Sequence, residues 1–169
     1  MEDLASLIEP HVPALRRYAW ALTRDGDAAD DLVQDCLTRA LSRWHLRRRD
    51  GDVKSWLFTI LRNQYLDAAR QRGRRGLHLS LDEEGDGPAV GGGQEDRLMM
   101  RDVLAGLDSL SEEHRSVLLL VGVEDLSYGE AAKVLGVPVG TVMSRLGRAR
   151  DRLRRFLDRG AGPDLRRVK

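Results

Sequence analysis

The feature that most limits what this chain can fold into is an interruption. From Gly76 to Asp96 there are six acids and no lysine or arginine, and seven of the 17 glycines fall between Gly73 and Gly93. Such a stretch buries too little apolar surface to offset the entropy of ordering it, so residues 74–95 read as a flexible acidic linker. Cutting the 169-residue chain there leaves residues 1–73 and 96–160, each with room for one small core, and a basic tail at 161–169.

On both sides of the interruption the apolar spacing is helical, and nowhere does it alternate as a strand does. Leu15, Tyr18, Ala19 and Leu22 lie at i, i+3, i+4, i+7. Pro10 and Pro13 confine the regular part of that helix mostly to the residues after them, and Gly26 is expected to stop it. Asp27 is expected to cap a second helix with Val33, Cys36, Leu37, Ala40, Leu41 and Trp44 inward. The basic stretch Arg47–Asp52 breaks the pattern. A third helix then runs from about Val53 to Arg72, with Trp56, Leu57, Ile60, Leu61 and Leu66 inward.

The second piece resumes at about Glu95, with Leu98, Val103, Leu104 and Leu107 in one helix ending near Asp108–Ser109. Ser111 is expected to cap the next, with Glu112 and Glu113 at its positive end and Val117, Leu118 and Val121 inside. Ser127 and Glu130 are spaced as a capping box for a short helix through Ala131, Ala132 and Leu135, ended by Gly136. After Pro138 a last helix reaches about Leu157 on Val142, Leu146, Ala149, Leu153 and Phe156. The expected fold is all-α, with two small helical domains.

Composition narrows the chemistry. No run approaches the roughly 20 apolar residues a membrane span needs, so no membrane insertion is expected. Met1–Ile8 lacks a basic region of the signal-peptide kind, and a cytoplasmic protein is expected. One cysteine, Cys36, permits no internal disulfide and reads as a packed core residue. His11, His45, His78 and His114 are scattered without metal-ligand spacing. Neither a metal nor a cofactor is expected, nor an enzyme, since the chain has no Walker loop or nucleophile elbow. The formal net charge of +1 hides an asymmetry: Pro138–Lys169 holds ten Arg and Lys against three Asp, or +7, leaving −6 elsewhere. A basic end of that kind suits a polyanion.

Ser127–Arg150 concentrates the signal. A capped short helix with paired alanines, a Leu-Gly-Val turn and a basic second helix make a helix-turn-helix, whose second helix enters the major groove of DNA. With Val142 inward, Gly140, Met143, Ser144, Gly147, Arg148 and Asp151 face outward. Gly140 lets backbone approach a phosphate at the helix N-terminus. Arg148 suits a guanine edge or a phosphate. Arg145, Arg152 and Arg155 share a flank suited to phosphates.

The run Val137-Pro-Val-Gly-Thr-Val-Met-Ser-Arg-Leu-Gly-Arg-Ala-Arg150 resembles the promoter −35 reading helix of bacterial sigma factors of the extracytoplasmic-function type (group IV). The resemblance extends through Leu110-Ser-Glu-Glu-His-Arg-Ser-Val-Leu-Leu-Leu120 and Leu126-Ser-Tyr-Gly-Glu-Ala-Ala132. In the first piece, Asp30-Asp-Leu-Val-Gln-Asp35 with Trp44 resembles that family's polymerase-binding helix. Ser55-Trp-Leu-Phe-Thr-Ile-Leu-Arg-Asn63 with Asp67 and Arg70 resembles its −10 region. The likeness covers about residues 10–158.

It implies that Asp31, Leu32, Gln34 and Asp35 dock on core RNA polymerase. It implies −10 contacts by Lys54, Arg62, Asn63 and Arg70, and −35 contacts by Gly140, Thr141, Met143, Ser144, Arg145 and Arg148. Further basic charge lies at Arg72, Arg74 and Arg75, while Trp56 and Phe58 offer flat surfaces for unpaired bases. Trp56 nevertheless lies on the inward stripe and reads as core. Where Met143 stands the family often has a basic residue, and where Gly147 stands an aromatic or His. Both departures lower the polar and stacking capacity of the reading face.

The implied partners are core RNA polymerase, promoter DNA and an anti-sigma factor that clamps both domains. Two promoter elements about 25 bp apart are separated by roughly 85 Å. A linker over 74–95 reaches roughly 75 Å extended but about 25 Å as a coil. Polymerase is therefore expected to draw the domains apart, which distances between labels on the two domains would test. Two other readings compete: a sigma-like decoy that binds an anti-sigma factor, and a dimeric helix-turn-helix regulator that binds a palindrome without polymerase.

Overall fold

The computed structural model describes residues 4–75 and 91–160, and among these there is no strand. They fall into two compact units, one built mainly on the helices before the interruption, the other mainly on those after it. Most of the expected linker and all of the tail lie outside the described residues. The helices encroach on the linker by one residue at its start and two at its end.

In the first unit α1 (Leu4–Ile8) and a 3-10 turn at Glu9–His11 lead into α2 (Val12–Thr23). Pro10 and Pro13 both sit in first turns, where no N–H partner is lost. Leu15, Tyr18, Ala19 and Leu22 are buried as their spacing requires. Two expected boundaries are corrected. Arg24, not Gly26, ends α2: it takes left-handed φ 57, and its N–H donates to the Trp20 carbonyl at 2.7 Å. That conformation costs an L-residue about 1–2 kcal/mol, and the guanidinium stacked 4.4 Å above Trp20 helps to offset it. Asp25, not Asp27, caps α3 (Gly26–Arg43), because its extended backbone lets the carboxylate accept from the Ala28 N–H at 2.9 Å. Asp27 falls inside the first turn.

Ala29, Val33, Cys36 and Ala40 form the buried stripe of α3. Leu37 and Trp44 are half-buried, and Leu41, expected inward, is 52% exposed. At 3.6 residues per turn Leu41 lies about 80° from Val33, off the edge of the stripe. α4 (Val53–Arg74) is capped by Asp52, which accepts from both the N–H and the hydroxyl of Ser55 at 2.7 Å.

Because α4 packs against α1, α2 and α3, its buried arc is broad: Ser55, Leu57, Phe58, Ile60, Leu61 and Arg62. Phe58 is sealed edge-on to Tyr18 with ring centroids 5.3 Å apart, so it offers no flat surface to a base. Leu66 is half-buried, as is Trp56, which meets Trp44 edge-on at 5.7 Å.

In the second unit α5 (Gln94–Asp108) packs on the last helix through its C-terminal half. Leu107 is buried, and Val103 and Leu104 half-buried, but Leu98, expected inward, lies beyond that contact and is 53% exposed. Gly106 marks the crossing: a Cβ there would sit 2.5 Å from Leu153 Cδ1. α6 (Glu112–Leu118) is capped as expected, Ser111 Oγ accepting from the His114 N–H at 3.3 Å.

A π-helical turn at Leu119–Val123 comes next, closed by Glu124 N–H to Leu119 carbonyl at 2.9 Å. Its wider winding shifts the inward face. Leu119 and Leu120 are buried with Val117, whereas Leu118 and Val121, expected inside, are half-buried.

α7 (Tyr128–Leu135) opens on the reciprocal capping box: Ser127 N–H to Glu130 Oε2 at 2.6 Å, and Glu130 N–H to Ser127 Oγ at 3.1 Å. Gly136 takes φ +65 just past its end, the left-handed conformation that suits glycine. α8 (Val139–Gly160) begins directly after Pro138 and runs three residues beyond Leu157. Val142, Leu146 and Ala149 are buried, Leu153 is half-buried, and Phe156 reaches the surface.

Candidate partner and nucleic-acid interfaces

The outer face of α3 is set by its inner one. With Ala29, Val33, Cys36 and Ala40 buried, the opposite side exposes Asp31, Gln34, Asp35, Thr38 and Ser42. Leu32 is half-buried at its margin, so it supplies only part of a contact surface. Asp30 is engaged by Arg16 of α2, whose Nη2 and Nε donate to one carboxylate oxygen at 2.8 and 3.0 Å. Leu41 continues the exposed row, three residues beyond Thr38, and adds an apolar group about 9 Å along the helix from Asp35. Sequence reasoning missed it as a surface residue. A polar groove of about 400 Å³ between α3 and α4 borders the same face, lined by Asp35, Thr38, Arg39, Ser42, Arg43 and Gln64.

The four positions singled out on α4 do not share one environment. Asn63 and Arg70 are exposed, Arg70 within 3.2 Å of the Asp67 carboxylate, and Lys54 is half-buried. Arg62 is only 7% exposed, which removes it from the set of surface cations. It falls one turn after Phe58, inside the broad arc that three neighbouring helices cover. The turn before α4 is braced by Arg47. Its guanidinium lies 4.6 Å over Trp44 and donates to the carbonyls of Gly51 at 2.6 Å and Arg48 at 3.1 Å. His11 faces this region with its pKa lowered, by burial first and by Lys54, against the opposing charge of Asp52.

On α8 the expected outward set, Gly140, Met143, Ser144, Gly147, Arg148 and Asp151, is exposed throughout. Thr141 is half-buried. The cations divide. Arg145 is held by Glu113 of α6 at 3.5 Å, its side chain 21% exposed. Arg152 Nη1 lies 3.3 Å from His114 Nδ1. Arginine is only a donor, so a hydrogen bond there takes that ring nitrogen as acceptor and favours the neutral imidazole. Burial lowers the His114 pKa, and Arg152, Arg145 and Arg148 lower it further against Glu113. Arg148 makes no hydrogen bond or ion pair among the described residues and points its charge outward. Glu113, read from sequence as part of a helix start, and His114, read as one of four scattered histidines, thus also set the arginines of the next face.

These two faces have counterparts. Residues 8–62 match the family model described as the Sigma2 domain of PhyR, and residues 100–153 match Sigma-70, region 4. The chain is 39% identical over 151 residues to the ECF RNA polymerase sigma factor EcfG of Rhodopseudomonas palustris, covering 86% of this chain and 80% of that one. It belongs to the extracytoplasmic-function RNA polymerase sigma factors.

A second such sigma factor, SigL of Mycobacterium tuberculosis, is 36% identical over 151 residues, covering 85% and 82% of the two chains. The fold agrees as well. The sigma factor RpoE of Bartonella quintana, solved in complex with the anti-sigma factor NepR, superposes with a TM-score of 0.82 at 34% identity, covering 94% and 98%. As an alternative sigma factor the chain directs RNA polymerase to promoters. No helix among the described residues is long and apolar enough to cross a membrane.

Proposed function

We propose that this sigma factor divides its work between the two exposed faces. Asp31, Gln34, Asp35 and Leu41, with Leu32 at the margin, dock on core polymerase. Two carboxylates with an exposed leucine further along the same helix fit a basic surface with an adjoining apolar patch, the mixture typical of specific interfaces. Residues 1–73 form the domain that engages the −10 element through Lys54, Asn63 and Arg70. Arg62 supports that surface from inside.

Residues 96–160 form the −35 domain. Gly140 and Thr141 approach the backbone at the start of α8, Met143 and Ser144 face the bases, and Arg148 is the leading cation. Arg145 is tethered by Glu113 and contributes less. The observation that carries the reading is the solvent-directed row from Gly140 to Arg148, on the helix that a region 4 match predicts to meet DNA.

The polymerase performs the chemistry and the sigma factor catalyses no reaction of its own; its place is the cytoplasm, where the transcription machinery works. An anti-sigma factor is its expected antagonist, a reading supported by the complex of the Bartonella quintana relative. Run-off transcription with purified core polymerase on the promoter of its own gene tests the proposal. Transcripts that depend on this chain support it, and promoter-specific DNA binding that needs no polymerase counts against it. A decoy reading draws on the N-terminal match to a PhyR domain. It predicts binding to an anti-sigma factor and no transcript at all.

A further inference from the structure

Within the proposed −35 role of α8, we propose that Met143 is a specificity-determining side chain and that it reads the C5-methyl group of a thymine. The first two turns of α8 offer little else to a base pair. Thr141 is half-buried, and the Ser144 hydroxyl donates to the Thr141 carbonyl at 3.1 Å, so only its lone pairs remain. Arg145 is drawn back to Glu113. Met143 is 55% exposed on the outward face, flanked by the exposed Val139 one turn earlier.

The groups that an unmodified base pair displays in the major groove are hydrogen-bond donors, acceptors and, for thymine alone, a methyl group. A thioether is a weak acceptor and carries no charge, so it gains little from a guanine edge or a phosphate. It is unbranched, polarisable and adaptable in shape. The methyl is the partner whose chemistry matches.

The surroundings leave that contact open. A Cβ added at Gly147, one turn beyond Met143, would meet nothing within 4 Å, and the same holds at Gly140 one turn before. Helical side chains lean toward the N-terminus, so a side chain at 147 that reaches past its own Cβ would extend over the flank of Met143. Its absence leaves the methionine bare to an approaching base pair. Arg148, the neighbouring cation without a partner among the described residues, supplies the adjacent polar contact.

The test uses the full chain with core polymerase. Promoters are selected from a library randomised across the −35 region, and each thymine of a selected element is replaced singly by deoxyuridine, which removes only the methyl. Loss of one buried methyl corresponds to about a fourfold fall in affinity, expected at one or two adjacent positions. In Met143→Ala that sensitivity should vanish, while Met143→Leu should keep it. Because Met143 is exposed, all three proteins should melt alike. Promoter binding that is insensitive to deoxyuridine, or a sensitivity unchanged in Met143→Ala, overturns the proposal and leaves the sigma reading standing. Absence of any chain-dependent promoter binding overturns both.

Discussion

The helices α3 and α8 are built alike inside and differently outside. Each buries a narrow row of small and aliphatic residues, Ala29, Val33, Cys36 and Ala40 in one, Val142, Leu146 and Ala149 in the other. Outside, α3 shows carboxylates followed by an exposed leucine, whereas α8 shows an exposed methionine followed by arginines. On the proposed assignment, the sign of the charge sorts the partners, protein against DNA. Availability sorts the residues: Arg145 and Arg152 touch Glu113 and His114, while Arg148 faces solvent. Counting charge on a helix therefore overstates its grip.

The sharpest way to break this comparison is Arg148→Ala. A guanidinium on a guanine edge discriminates by about 1–3 kcal/mol, so −35-dependent initiation should fall roughly five- to 150-fold. Arg145→Ala should cost clearly less in the same abortive-initiation assay. Equal losses at the two positions would end the distinction between tethered and available arginines.

Next in size is Leu41→Ala. If the exposed leucine is a docking residue, holoenzyme assembly in competition with another sigma factor should weaken about five- to 30-fold, as for an interface anchor of about 1–2 kcal/mol. Asp35→Ala should act in the same direction. Thermal stability should hardly change for Leu41→Ala, whereas a core leucine would cost about 2–5 kcal/mol. A large fall in melting temperature would return Leu41 to the core.

Gly147→Ala sharpens the other side of the comparison. The position is helical, exposed and open, so alanine should stabilise the chain by about 0.8–1 kcal/mol, read as a raised unfolding midpoint. The smallest effect concerns pH. The folded His114 pKa lies below its ordinary 6.5 because burial and three arginines disfavour the cation. The unfolded chain therefore binds the proton more readily. The stability this group contributes is full above pH 6.5 and is lost as the pH falls from there through the folded-state pKa. His11 acts in the same direction in the first unit. His114→Gln should flatten part of the wild-type decline in melting temperature below pH 6.5; identical slopes would show that the ring is not involved.

Much of this architecture is legible in residue order because helices advertise their ends. Ser111, Ser127 with Glu130, and Gly136 each sit where capping chemistry puts them. The departures from expectation have a common physical origin in phase. Leu118-Leu-Leu-Val121 is apolar at four successive positions, so the pattern cannot reveal the extra residue of a π turn. Leu41 sits on the flank of its stripe, where about 80° separates a core residue from a surface one. Arg62 would be a surface cation if α4 buried a one-sided stripe, but three helices cover it. Of the candidate contacts, the outward set on α8 is visible from periodicity. The restraint of Arg145 and Arg152 is not, since Glu113 and His114 are distant from them in sequence.

The sealed sulfur of α3 has a practical consequence. Cys36 is fully buried, its Sγ lies 3.5 Å from the Leu57 carbonyl, and burial pushes the thiol up to about 12. At neutral pH the native protein therefore presents no thiolate to a maleimide or a spin label. Cysteines introduced at exposed sites such as Ala68 and Arg154 would be the only reactive handles, with the native residue left in place. Distance spectroscopy on the two domains, free and in the holoenzyme, then needs no cysteine-less background and carries no cavity where Cys36 belongs.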